Sequence, residues 1–198
     1  MKRFARLLIL ALGAQLGLVG LSPAAAQEVT APALLAADPG LDGPYQGTVL
    51  LVLPSGNGMH LGFILNRPTA TSVAAIFPEV AAARKVVSPM FFGGPFMRQT
   101  VFALTRSPHP PTEDCVQVLP GLFVAHGRQE AARVASRVPA RSRFYAGVVL
   151  WERGELQSEL ETGAWVVAEP DVDIVIGGSA DTLWQRVLER AQTMLALR

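Results

Sequence analysis

The chain of 198 residues contains one cysteine, three histidines and only 7% aromatic residues, and each scarcity removes a class of protein. Cys115 alone cannot form an intramolecular disulfide, so stability has to come from a packed core. An unpaired thiol of this kind is expected as a small buried hydrophobe. His60, His109 and His126 lie far apart, and only His109 has acidic neighbours, Glu113 and Asp114, in a proline-rich loop. No metal centre is expected from that spacing. A Gly-x-Ser-x-Gly elbow is missing, as is a glycine loop followed by the lysine of a phosphate cradle. No cofactor is implied.

What the chain does have begins at its N-terminus. Lys2, Arg3 and Arg6 precede an apolar run from Leu7 to Leu21, interrupted by Gln15. Pro23 and then Ala24-Ala25-Ala26 follow. This is the pattern of a secretory signal over residues 1–26, cleaved before Gln27. The run is shorter than the roughly 20 residues of a stable membrane span. No lipid-bearing cysteine follows it and no twin-arginine pair precedes it, so the ordinary secretory route to the periplasm is expected. An uncleaved anchor is the alternative, and membrane contact is expected only in that case. Without Lys2, Arg3 and Arg6 the 17 Lys+Arg become 14 against 16 Asp+Glu, a net charge of −2 over 172 residues. That balance lacks the basic footprint of a nucleic-acid binder, and no nucleic acid is expected as a partner of the exported form.

Residues 27–34 read as a flexible leader and 35–44, with Asp38-Pro39 and Asp42-Gly43-Pro44, as turns before the fold proper. Thr48–Leu53 and His60–Leu65 flank a Pro-Ser-Gly-Asn-Gly turn and predict a hairpin. A short helix capped by Thr71 or Ser72 is expected to carry Val73, Ile76 and Phe77 and to stop at Pro78. Strands are expected at 100–106, 115–119, 122–125, 144–151, 165–168 and 172–176, with 86–92 ambiguous. Helical spacing covers 128–138, 155–161 and a final helix capped by Ser179 or Asp181, with Leu183, Trp184, Val187, Leu188, Ala191 and Leu195 on one stripe. Strands and short helices mix without βαβ alternation, which argues for a single α+β domain over 35–198.

Several of these stretches carry a resemblance. Thr48-Val49, Gly58 to Gly62, Asn66-Arg67-Pro68, Gly93-Gly94-Pro95, Gly147, Trp151, Gly154-Glu155-Leu156, Glu159-Leu160, Ala164-Trp165, Asp173 and Trp184 stand in order at compatible spacing. The set resembles the YqgE/AlgH family over roughly residues 35–195. The chain departs from that pattern at Glu155, where the family has Gln, and at Val148-Val149-Leu150 before Trp151. It also lacks a His common after the first strand. The resemblance implies a mixed, barrel-like sheet with short helices packed outside and a C-terminal helix. It implies no reaction, and a label of transcriptional regulator sometimes attached to the family finds no DNA-binding motif here.

The candidate ligand-binding residues are Asn66, Arg67, Gly93, Gly94, Trp151 and Glu155. Arg67 before Pro68 is expected at a strand end with a guanidinium able to clamp a small anionic ligand. The structural alternative has Asn66 capping the turn and Arg67 paired with an acid such as Asp42. Gly93 and Gly94 offer either an anion nest or a close backbone approach. Trp151 and Trp165 flank a short helix and line either a cleft or the core. Arg128, Arg133, Arg137, Arg141 and Arg143 form a basic run that suits an anionic partner or a solvated helix face. A binding or regulatory domain without catalysis, taking an unknown protein or a small anion, is the first functional expectation. An enzyme acting at the Arg67 and Gly93-Gly94 loops is the second.

Overall fold

The computed structural model describes residues 29–196, so the expected signal segment lies outside the described residues. Within them the strands are β1 (Ala33–Ala37), β2 (Val49–Pro54), β3 (His60–Ile64), β4 (Pro68–Ser72), β5 (Pro89–Phe92), β6 (Phe96–Arg106), β7 (Val116–Leu119), β8 (Leu122–His126), β9 (Ser142–Trp151) and β10 (Trp165–Ala168). The helices are α1 (Val73–Ile76), α2 (Arg128–Arg137), α3 (Glu155–Glu161), α4 (Val172–Gly177) and α5 (Ala180–Ala196). The strand order is β10-β1-β2-β3-β9-β6-β8-β7, with β5 beside β9 and carrying β4. Pairing is antiparallel except for β5 with β9. The sheet curls into a half-barrel with helices on both sides, the α+β architecture expected.

Period-two alternation explains the layers. Val49 and Leu51 of β2 join Leu34, Phe63 and Leu104 on one face, where α4 and α5 press Ile174, Val175, Leu183 and Val187 against them. Leu50 and Val52 face the other way with Leu35, Ile64 and Trp151, under Leu156 and Leu160 of α3. On that second side Phe144, Ala103 and Phe123 lie under α1 and α2. Each such leucine or phenylalanine taken wholly from water contributes about 2 kcal/mol. In β9 the alternation breaks at Gly147, whose φ of 75° makes a bulge, so that Tyr145 and Val148 share one face.

The hairpin, the short helix after Ser72, α2, α3 and the strands around residues 100–106, 116–126 and 142–151 form where their patterns predict. Three segments differ. The stretch expected as a leader and turn contains β1, which pairs with both β2 and β10, and Val29 before it is buried. ALLAA has no β-branched residue and is buried on both faces, so neither propensity nor alternation marks it. A carbonyl of Val29 also bonds to His60 Nε2 at 2.7 Å, which ties the entry of the chain to β3. Pro68–Ser72 forms an unexpected strand, mostly exposed and paired only with β5. Residues 172–176 form a helix instead of the expected strand. Asp171 overrides their β-branched composition by accepting hydrogen bonds from the N–H groups of Asp173 and Ile174.

Candidate functional site

Asn66 is consumed by the fold. Its Oδ1 accepts from the Val49 N–H and its Nδ2 donates to the Gly47 carbonyl, both at 2.9 Å. Thr48, between them, bonds through its hydroxyl and its N–H to the Tyr45 carbonyl. The side chain that looked like a ligand group therefore staples the loop that presents Tyr45. Arg67 is half-buried, and its carbonyl accepts from the Phe92 N–H at 2.8 Å. Its guanidinium has no ion pair or side-chain hydrogen bond among the described residues, so the expected pair with Asp42 is not formed.

Gly93 and Gly94 serve a close approach. A Cβ at Gly93 would collide with the Gly147 carbonyl, and one at Gly94 with the Val148 backbone. Gly147 in turn would strike the carbonyls of Gly94 and Phe96. The Gly93 N–H already donates to Ala146 and its carbonyl accepts from Ile64, so this amide is not offered to an anion. The crossing lets β5 run parallel against β9.

Trp151 and Glu155 lie elsewhere, on a cleft of about 620 Å³ lined by Tyr45, Met59, Phe96, Val149, Leu150, Glu152, Arg153, Glu159 and Trp165 as well. Asn66, Arg67, Gly93 and Gly94 are not in its lining. The cleft is organised by α3. Gly154 opens this helix, and Glu155 reaches back to accept the Glu152 N–H at 2.9 Å. At its end Ala164 N–H bonds to the Glu159 carbonyl and Gly163 N–H to that of Leu160, a Schellman pair. The helix so fixed places Glu159 between the two tryptophans. Glu159 Oε2 accepts from Trp151 Nε1 at 2.9 Å and from Trp165 Nε1 at 2.6 Å. Tyr45 meets the Trp165 ring edge-on, with centroids 5.8 Å apart. Burial pushes the Tyr45 hydroxyl pKa upward, the negative charges of Glu159 and Glu155 push it further, and Arg67 opposes them.

Tyr45 and the part played by Glu159 were not visible in the sequence. The available signal was Glu155 and Glu159 four residues apart on a helix flanked by two tryptophans. Four of the five arginines of the basic run are engaged within the fold, and Arg141 is exposed. Arg128 pairs with Glu79, Arg133 with Glu130 and Asp114, and Arg137 donates to the Pro111 carbonyl. Arg143 is buried, donates to the Gly178 carbonyl and lies over the Phe91 ring. Cys115 is buried beside the Thr112 hydroxyl, Sγ to Oγ1 being 3.0 Å. No cluster of three or more metal-ligating side chains exists among the described residues, the His109 loop included.

The fold is a curled α+β sheet with an aromatic and acidic cleft beside α3. Residues 34–196 match the AlgH-like family, and the chain belongs to it. A UPF0301 protein of Chlorobium phaeobacteroides is 30% identical over 156 residues, covering 77% of this chain and 81% of that protein. One of Mycobacterium tuberculosis is 33% identical over 184 residues, covering 87% and 88%. Among solved structures, the AlgH protein of Pseudomonas aeruginosa superposes with a TM-score of 0.68 at 21% identity, over 89% of this chain and 96% of that one. A Corynebacterium diphtheriae protein gives 0.67 at 19%, over 81% and 86%. These two likenesses carry the fold.

Proposed function

We propose that this chain is a non-catalytic binding or regulatory domain, exported across the inner membrane, whose ligand seat is the cleft beside α3. The observation that carries the reading is Glu159, a carboxylate pinned by two indole N–H groups inside a cleft large enough for a small ligand or a partner side chain. The chemistry of the lining supports binding over turnover. Glu159 has one oxygen committed to two donors, and the Tyr45 hydroxyl holds its proton more tightly than usual. Among the described residues no serine, cysteine or histidine lines the cleft beside them. The signal pattern supports export, and among the described residues no helix is long and apolar enough to cross a membrane.

The test joins location to binding. Intact mass of the protein from fractionated host cells is expected to show a periplasmic species beginning at Gln27. A small-fragment library screened by NMR is expected to shift the indole N–H resonances of Trp151 and Trp165. A full-length cytoplasmic species refutes the export. Turnover in a broad hydrolase screen that disappears on changing Arg67 refutes the non-catalytic reading.

A further inference from the structure

The small anion was expected at Arg67 and the Gly93-Gly94 loop, which lie outside this cleft, and the charges of the cleft argue for the opposite sign of ligand. We infer that the cleft takes an organic cation, an alkylated ammonium or a guanidinium on an apolar stem, with Glu159 as counter-ion. This rests on the reading of the cleft as the ligand seat.

Three carboxylates line it, Glu152, Glu155 and Glu159, against one guanidinium, Arg153. Arg153 donates through Nε to the Asn57 carbonyl at 2.9 Å, so it is tied to the β2–β3 turn instead of to a carboxylate. Arg67, whose field reaches Tyr45, does not line the cleft and pairs with none of the three. Arg153 keeps its charge and offsets one carboxylate, so the lining carries two carboxylates in excess. Glu159 is the best placed of them. Two neutral indole donors orient its Oε2 without cancelling its charge, and Oε1 receives no donor from the described residues. A fixed carboxylate loses little further freedom on pairing, which favours a charge-assisted contact.

The remaining walls select an organic cation over a metal ion. Tyr45, half-buried, stands at 67° to the nearly buried Trp165 and supplies most of the aromatic surface next to that carboxylate. Aromatic rings attract a soft, weakly hydrated cation by about 0.5–2 kcal/mol. Met59 at 42% exposure and Phe96 at 50% supply apolar surface at the same cleft, suited to a methylated head or an aliphatic stem. A divalent ion is held best by several converging carboxylates, and no group of three or more His, Cys, Asp or Glu side chains able to hold a metal ion exists among the described residues.

The experiment is a titration of the full ¹⁵N-labelled protein at constant ionic strength with tetramethylammonium chloride, ethylguanidinium chloride and sodium phosphate. Its readout is the two indole N–H resonances. Saturable shifts are expected with at least one cation in the millimolar range and not with phosphate. Glu159→Gln keeps an oxygen for the indoles and is expected to weaken the cation about tenfold. Glu155→Gln, on an exposed residue whose capping oxygen is retained, guards against a folding defect and is expected to weaken it about threefold. Phosphate binding without cation binding, or cation binding indifferent to both substitutions, overturns the inference while the cleft stays a ligand seat. Silence of both indoles towards all three probes and the fragment library overturns the inference and the binding reading together.

Discussion

Replacing Asn66 by alanine separates a scaffold role from a ligand role for the Asn-Arg-Pro motif. The amide makes two hydrogen bonds of 2.9 Å, one from Val49 N–H and one to Gly47 C=O. Each such bond contributes about 1 kcal/mol net. Val49 is wholly buried, so its N–H would also be left without a partner, a penalty of about 1–3 kcal/mol that overlaps the first term. The expected loss is about 3 kcal/mol, or roughly 6–12 °C in Tm for a domain of this size. Urea unfolding followed by tryptophan fluorescence measures it. Asn66→Asp sharpens the test. The new carboxylate still accepts from Val49 but turns an oxygen towards the Gly47 carbonyl. The variant should be at least as unstable at neutral pH and recover part of the loss on acidification, as the protonated carboxyl becomes a donor. Arg67→Gln, by contrast, removes a guanidinium without a side-chain partner and should stay within about 0.5 kcal/mol of the parent. An Asn66→Ala protein as stable as the parent, or an Arg67→Gln protein equally damaged, would refute the division of labour between these neighbours.

Gly147→Ala should cost more than about 3 kcal/mol or abolish soluble folding, because a Cβ at φ 75° would strike two carbonyls. Expression level and thermal melting report it. Burial holds the Tyr145 hydroxyl up at about 12, from 10.0. The folded state thus keeps this proton longer than the unfolded one. Up to about 3 kcal/mol of stability should be lost as pH rises from 10 to 12, a slope that Tyr145→Phe should reduce in urea midpoints taken across that range. The same hydroxyl sits near Arg143 without meeting hydrogen-bond geometry, so Tyr145→Phe at neutral pH should change stability by less than about 1 kcal/mol. Asp171→Ala removes both the cap of α4 and a 3.1 Å ion pair to Arg190, and should cost about 1–2 kcal/mol by urea denaturation.

Legibility followed the physics of each segment. The β2–β3 hairpin was readable because a dense turn separates two aliphatic runs, and α3 because Gly163 marks its end. β1 was hidden because Ala33–Ala37, covered on both faces, carries no periodicity. The segment after Asp171 misled for the opposite reason: its β-branched run suggests a strand, and one carboxylate at the cap decides for helix. Of the residues that line the cleft, Trp151 and Glu155 were singled out from the sequence as candidates, whereas Tyr45 was not. It reaches the cleft through a loop held by Asn66 and Thr48, a long-range connection that spacing along the chain does not encode.

The crossing of Gly93-Gly94 over Gly147 has a consequence for how the molecule assembles. The partners are some fifty residues apart in sequence, and everything from β6 to the start of β9 lies between them. The parallel registry of β5 cannot be secured until that whole excursion has returned, so the entropy of a long closed loop is met before the contact rewards it. The crossing is thus a natural late step in folding. A substitution there that still yields folded protein should leave the refolding rate nearly unchanged while accelerating unfolding, the kinetic mark of a contact absent from the transition state.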